Sequence, residues 1–322
     1  MSHLTYPEAI VVGLLQGVTE LFPVSSLGHS VIIPALLGGR WAHDLNVSAP
    51  ESPYLAFIVG LHVATAGALL VFFWRDWLRI LTGFTTSLRY RRIRTADERL
   101  AWMIILATIP VGITGLLLEH TFRTVLGRPI PASAFLAANG VLLYGAERLR
   151  RRAAAAVAPS AAQAQVTAAG GANPRPASSA ADSPDPDEDT AGDHRIAARP
   201  YRVTTLIGCA QILALLPGIS RSGITMAAGL RAGLSHLDAA RFSFLLATPV
   251  ITAAGVLKVS DLFGPLGDGI RGQVLAGSLA AGGAAYASVR FLTRYFQTRT
   301  LTPFAGYCLV AGLGSLAWLT LG

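Results

Sequence analysis

Two short runs of this 322-residue chain carry side chains that could do chemistry in otherwise apolar surroundings. The first reads Gln16-Gly-Val-Thr-Glu20-Leu-Phe-Pro-Val-Ser25-Ser26-Leu-Gly-His29. The second reads Pro217-Gly-Ile-Ser220-Arg221-Ser222-Gly223, with Thr225 on the following turn. Each interrupts an apolar stretch, residues 8–37 and 203–232 respectively. Ionisable residues in such places are costly and point to function by default, which singles out Glu20 and Arg221. Ser26 offers a nucleophilic hydroxyl, and His29 can accept or donate a proton near neutral pH. Gln16 lies one helical turn before Glu20, so the two share a face. A guanidinium between Ser220 and Ser222 at the opening of a helix suits a phosphate. Its fork matches phosphate oxygens, and the free N–H groups of the helix start add donors.

Taken together these groups fit phosphoryl transfer or phosphoester hydrolysis on an amphipathic substrate. Arg221 would clamp the phosphate, Ser26 would attack in line, and His29 or Glu20 would handle protons. A carboxylate beside phosphates also suits Mg²⁺ or Ca²⁺, with Glu20 and Gln16 as protein ligands. Taken one at a time, the same residues have plainer roles. Ser25 and Ser26 can cap a helix, His29 and His62 can pack, and Arg221 can pair with Glu20 for structure alone.

The elements that must position these groups are membrane helices. The chain is 52% hydrophobic and 14% charged, where soluble chains average about 25% charged. Six windows are apolar and near the length of a span: Tyr54–Trp74, Leu100–Leu118, Pro131–Gly145, Phe242–Leu257, Gly272–Val289 and Leu301–Leu321. The expected fold is therefore an all-α polytopic membrane protein. It has six full transmembrane helices, and the two broken stretches form re-entrant helix pairs. Residues 150–200 are rich in Ala, Pro, Ser and Gly and end in an acidic patch. They read as a disordered cytoplasmic linker that cannot offset the entropy of ordering. Cys209 and Cys308 lie far apart in apolar runs, with neither metal-site nor disulfide spacing.

The net charge of +8 could suggest a nucleic-acid partner. Its distribution says otherwise. Of the 20 basic residues outside 150–200, 14 fall on one side of the span count, including Arg75 to Arg99 and Arg290 to Arg299. That side is cytoplasmic by the positive-inside rule, and no nucleic acid is expected. The count closes only if each broken stretch leaves on the side it entered. Two halves emerge, 1–149 and 201–322, each a re-entrant pair plus three spans, in opposite orientations. Leu106-Ala-Thr-Ile-Pro-Val111 and Leu246-Ala-Thr-Pro-Val250 are a loose internal match. Inverted repeats place a site near the midplane where their breaks meet. Transporters use the same plan, so a lipid transporter or flippase is the alternative reading.

At these residues the chain resembles the bacitracin-resistance family of undecaprenyl-diphosphate phosphatases. The first motif corresponds to Gln16 through His29, the second to Pro217 through Gly223, in the right order and one per half. The resemblance extends to Phe73-Trp-Arg75 and to Phe242-Ser-Phe-Leu-Leu-Ala-Thr-Pro249. It implies hydrolysis of a C55 polyprenyl diphosphate to the monophosphate and inorganic phosphate. That reaction recycles the lipid carrier for cell-wall synthesis and confers bacitracin resistance. It further implies a divalent cation and a multi-pass enzyme of the bacterial plasma membrane, with its site opening outward. It leaves room for a homodimer. By motif position Ser26 matches the proposed nucleophile, His29 the essential histidine, Glu20 the second acid and Arg221 the phosphate-binding arginine. Ser220, Ser222 and Thr225 match hydroxyls near the phosphate. Many members have Glu at Gln16 and Thr at Leu27, so this chain has one charge and one hydroxyl fewer. Whether serine, histidine or water attacks stays open at this level.

Overall fold

The structure, a computed structural model, describes residues 4–45, 53–168, 186–264 and 269–321, and every regular element among them is helical. Helix α1 (Tyr6–Leu21) starts from a reciprocal cap. Thr5 Oγ1 accepts from Glu8 N, and the Glu8 carboxylate accepts from Thr5 N at 2.8 Å. It stops just before Pro23, which has no N–H to continue the ladder. The chain restarts as α2 (Ser26–Leu37), followed by the short α3 (Gly39–Asp44). Helix α4 (Pro53–Phe72) bends by 83° into α5 (Trp74–Tyr90). Helix α6 (Ala96–Thr121) ends in a wide π turn, and α7 (Pro129–Ala168) and α8 (Pro186–Ala197) follow.

The second broken segment comprises α9 (Tyr201–Ala210), a 3-10 turn over Gln211–Leu215, and α10 (Arg221–Arg231). Three long helices complete the fold: α11 (His236–Phe263), α12 (Arg271–Thr298) and α13 (Thr302–Leu321).

Helix α12 lies between α1 and α4, α7 runs along α13, α11 packs on α4, and α6 on α9. Small residues let these backbones approach, as is usual where lipid removes the hydrophobic drive between helices. A Cβ on Gly13 would sit 2.2 Å from the Gly277 carbonyl oxygen, and one on Gly17 2.3 Å from that of Ala281. The two helices touch along these backbones with no room for a side chain.

The all-helical expectation holds, with two adjustments. Among the described residues four helices are long and apolar enough to cross a membrane, in α6, α7, α11 and α13, and the bent α4–α5 pair makes a fifth if it is one span. The stretch expected as the span Gly272–Val289 forms α12, whose composition is dominated by Gly, Ala and Ser and falls short of that test. The second adjustment concerns residues 150–200, which are not a disordered linker throughout. Helix α7 continues to Ala168, carried by an alanine run of high helix propensity, and α8 docks onto the bundle. Only 169–185 of the expected linker lie outside the described residues.

The reason for α8 is electrostatic. Asp193 is fully buried. It accepts from Arg241 Nε at 2.7 Å, Arg241 Nη2 at 3.0 Å and Arg79 Nη2 at 2.8 Å. Arg195 forks onto Asp238 at 2.9 and 2.8 Å. Composition hid these pairs, because each partner lies in a different segment.

Two stability predictions follow from this packing. Gly17→Leu should force α1 off α12 and lower the melting temperature in detergent, at a cost of about 1–3 kcal/mol or more. Gly67→Ala should be neutral, since nothing lies within 4 Å of a Cβ there. Asp193→Ala should cost about 1–3 kcal/mol, because it removes the buried carboxylate that Arg241 and Arg79 share and leaves Arg241 its pair with Asp76 at 2.9 Å. A proteolysis assay should then show cleavage within 186–197 that the parent chain resists.

Candidate active site

The two breaks meet. Ser25, the N-cap of α2, holds φ of 71°, a conformation that non-glycine residues rarely adopt and that packing must impose. Its Oγ accepts from Gly28 N within its own segment and from Gly218 N across the interface, each at 3.2 Å. A Cβ on Gly218 would come within 2.3 Å of Ala132 O, so glycine is required for the second break to nest against α7. Asn139 of α7 ties the breaks from behind. Its Nδ2 donates to Pro23 O at 3.1 Å, and its Oδ1 accepts from Ser220 N at 3.1 Å. Ser222 Oγ donates to Phe22 O at 3.1 Å.

This framework puts Glu20 and Arg221 face to face. Arg221 Nη2 donates to Glu20 Oε1 at 2.5 Å, with the two side chains 14% and 7% exposed. Each charge makes the other tolerable in a largely buried site. Glu20 Oε2 accepts from the Ser26 hydroxyl and from Gln16 Nε2, the latter at 3.1 Å. Arg221 Nη1 is buried with no hydrogen-bond partner among the described residues. An unsatisfied guanidinium donor of this kind is a place for an anion's oxygen.

Proton positions follow from the partners. His62 Nδ1 lies 2.9 Å from Ile58 O, and a carbonyl only accepts, so Nδ1 carries hydrogen. His62 Nε2 is then free to accept from Gln16 Nε2 at 3.3 Å. The two Gln16 amide hydrogens thus serve Glu20 and His62, with His62 Nε2 3.7 Å from Glu20 Oε2. His29 is arranged likewise. Its Nδ1 faces Ser25 O at 2.7 Å, and its Nε2 accepts from the Tyr307 hydroxyl at 2.7 Å. The Tyr307 ring stacks on it.

Each residue singled out from sequence therefore has a place. Glu20, Gln16, Ser26 and Arg221 form one bonded cluster. His29 lies on the same half-helix as Ser26, but its ring is engaged by Ser25 and Tyr307, so Glu20 rather than His29 is hydrogen-bonded to Ser26. The other hydroxyls are occupied by protein groups. Ser220 Oγ caps α10 by accepting from Gly223 N at 3.1 Å, and Thr225 Oγ1 donates to Arg221 O at 2.7 Å. His62, read from sequence as a packing residue, belongs to the cluster. Asn139 and Tyr307 were not anticipated. Asn139 carried a signal, as the amide in the apolar window Pro131–Gly145; Tyr307 carried none, since its meeting with His29 is purely tertiary.

The donor set bears on a cation. Glu20 is the one carboxylate of the cluster, beside an amide and a hydroxyl, and among the described residues no group of three or more His, Cys, Asp or Glu could hold a metal. That set fits Mg²⁺ or Ca²⁺ held partly by protein and partly by phosphate oxygens, as Mg²⁺ commonly is.

A family model described as bacitracin resistance protein BacA matches residues 9–314. An undecaprenyl-diphosphatase of Mycolicibacterium paratuberculosis is 67% identical over 320 residues, covering 99% of each chain. One from Mycobacterium avium is 66% identical with the same coverage. Undecaprenyl-diphosphatase 1 of Frankia casuarinae is 56% identical over 361 aligned positions, covering 97% of each.

Asn139→Ala should loosen the junction of the breaks. It takes the acceptor from Ser220 N and leaves Pro23 O the weak Cys308 Sγ bond at 3.7 Å, at about 1–3 kcal/mol for a buried group left unpaired. Thermal unfolding in detergent should shift down by several degrees, whereas Thr225→Val, which removes only a bond within one helix, should shift it little.

Proposed function

The chain belongs to the bacitracin-resistance BacA family, and from that premise we propose that it is an integral membrane undecaprenyl-diphosphate phosphatase. It hydrolyses the lipid diphosphate to the monophosphate and inorganic phosphate, returning the carrier to cell-wall synthesis. The observation that carries this reading is the Glu20–Arg221–Ser26 cluster at the meeting point of the breaks, with Arg221 Nη1 buried and unbonded.

The terminal phosphate takes the Arg221 fork, including the unbonded Nη1, and displaces Glu20 from it. The starts of α2 and α10, which flank the cluster, favour negative charge. Ser26 Oγ attacks the terminal phosphorus as its proton passes to Glu20, to which it is already hydrogen-bonded. The bond to the bridging oxygen breaks, and the lipid monophosphate leaves. Glu20 gives that proton up to the departing monophosphate; water then cleaves the phosphoserine with Glu20 again as base, inorganic phosphate leaves, and Glu20 returns the proton to Ser26 Oγ. Gln16 and His62 hold the Glu20 carboxylate in place, and Tyr307 holds His29 beside Ser26. A Mg²⁺ or Ca²⁺ held by Glu20 and Gln16 would offset phosphate charge during transfer.

We place the protein in the bacterial plasma membrane as two inverted halves with six spans, α12 being the sixth. The packing supports this: α1 of the first half lies on α12 of the second as α9 of the second lies on α6 of the first, and α4–α11 and α7–α13 also pair across the halves. The arginine-rich α5–α6 junction marks the cytoplasmic side, and the site opens outward.

Phosphate release from a polyprenyl diphosphate in detergent tests the reading. Ser26→Ala, Arg221→Met and Glu20→Ala should each lower kcat at least 100-fold, and His62→Gln should lower it less. Full activity in Arg221→Met would exclude the site. EDTA should lower the rate, and Mg²⁺ or Ca²⁺ should restore it.

A further inference from the structure

A second basic site lies away from the cluster. A cavity of about 950 Å³ opens between α5 and the turn leading into α6. Arg89, Arg92 and Arg94 line it; all three are exposed, and Arg94 lies within electrostatic reach of Glu98. Arg89 lies only over the Tyr90 ring, 5.8 Å from its centroid. The lining also holds two acids, and both are committed. Glu98 accepts from Arg94 N at 2.5 Å, Thr95 N at 3.0 Å and Thr86 Oγ1 at 3.1 Å. Asp97 pairs with Arg79 at 3.3 Å, and Arg79 also serves Asp76 and Asp193. What remains unbalanced in the cavity is positive.

The walls are amphipathic as well. Helix α5 turns 83° from α4, so it lies along the membrane surface if α4 crosses. Its Trp74, Leu78, Leu81 and Leu88 are more than half exposed, with Arg75 over the Trp74 ring at 5.2 Å. Leu78 belongs both to this apolar face and to the cavity. A surface helix with aromatic and leucine side chains in the acyl boundary and arginines at headgroup level is built for a charged leaflet.

We propose that this cavity binds the headgroup of an anionic phospholipid, its phosphodiester taken by Arg89, Arg92 and Arg94 and its acyl chains lying along Leu78 and Leu81. Continuity between the basic cavity and the apolar face selects a lipid over a free anion. The interaction is independent of the hydrolytic site, with which the cavity shares no residue.

Native mass spectrometry and thermal melts of the full chain test this, with dioleoylphosphatidylglycerol against dioleoylphosphatidylcholine in nanodiscs. Phosphatidylglycerol should be retained on the protein and raise the melting temperature by several degrees. Combined Arg89→Ala, Arg92→Ala and Arg94→Ala should cut retention at least tenfold and abolish the shift. Combined Arg290→Ala and Arg294→Ala, which remove charge elsewhere, should change neither. Substituting Lys at the three positions should restore retention if the fold is intact and the charge is what matters. Undiminished retention in the triple alanine variant would overturn the proposal. So would an equal shift from millimolar inorganic phosphate or glycerol phosphate, because the occupant would then be a soluble anion.

Discussion

The ion pair between Glu20 and Arg221 is the constraint from which the rest of the architecture follows. Neither charge could sit alone in an apolar bundle, and removing one would strand the other at a cost of about 3–5 kcal/mol. The two residues are 201 positions apart, so the pair forms only if both broken segments reach the same place. Everything around it serves that requirement. Ser25 accepts a strained φ to receive Gly218 N, Asn139 holds both backbones, and Gly17 lets α1 lie directly on α12.

The pair is also poised to be broken. Glu20 holds one nitrogen of the guanidinium, while the other is buried without a partner. In the proposed reaction an incoming diphosphate would offer more oxygens and more charge than a single carboxylate, which favours its exchange with Glu20 on Arg221. The exchange frees Glu20 at the moment its neighbour Ser26 needs a base. In this account substrate binding itself switches Glu20 from counter-ion to proton acceptor, with no large movement required.

Much of this was readable from residues alone. Glu20 and Arg221 stood out because charge in apolar sequence needs a reason, and the breaks stood out because Pro23 and Pro217 interrupt helical periodicity. The helical class followed from composition. What stayed hidden depended on distant partners. His62 looks like any intramembrane histidine until α4 brings it to Gln16. Tyr307 has no local mark, yet it fixes the free nitrogen of His29. Residues 186–197 looked unfoldable because the partners of Asp193, Arg79 and Arg241, lie in other segments. Local composition reports propensity, and these choices are made by tertiary charge pairing.

The exchange of partners on Arg221 can be measured directly. The quantity is the affinity of a non-hydrolysable polyprenyl methylenediphosphonate, titrated in EDTA against the parent protein and Glu20→Gln. Neutralising the competing carboxylate should tighten binding severalfold while hydrolysis of the true diphosphate collapses. Unchanged or weaker binding in Glu20→Gln would contradict the account, because Glu20 would then not be what the substrate displaces.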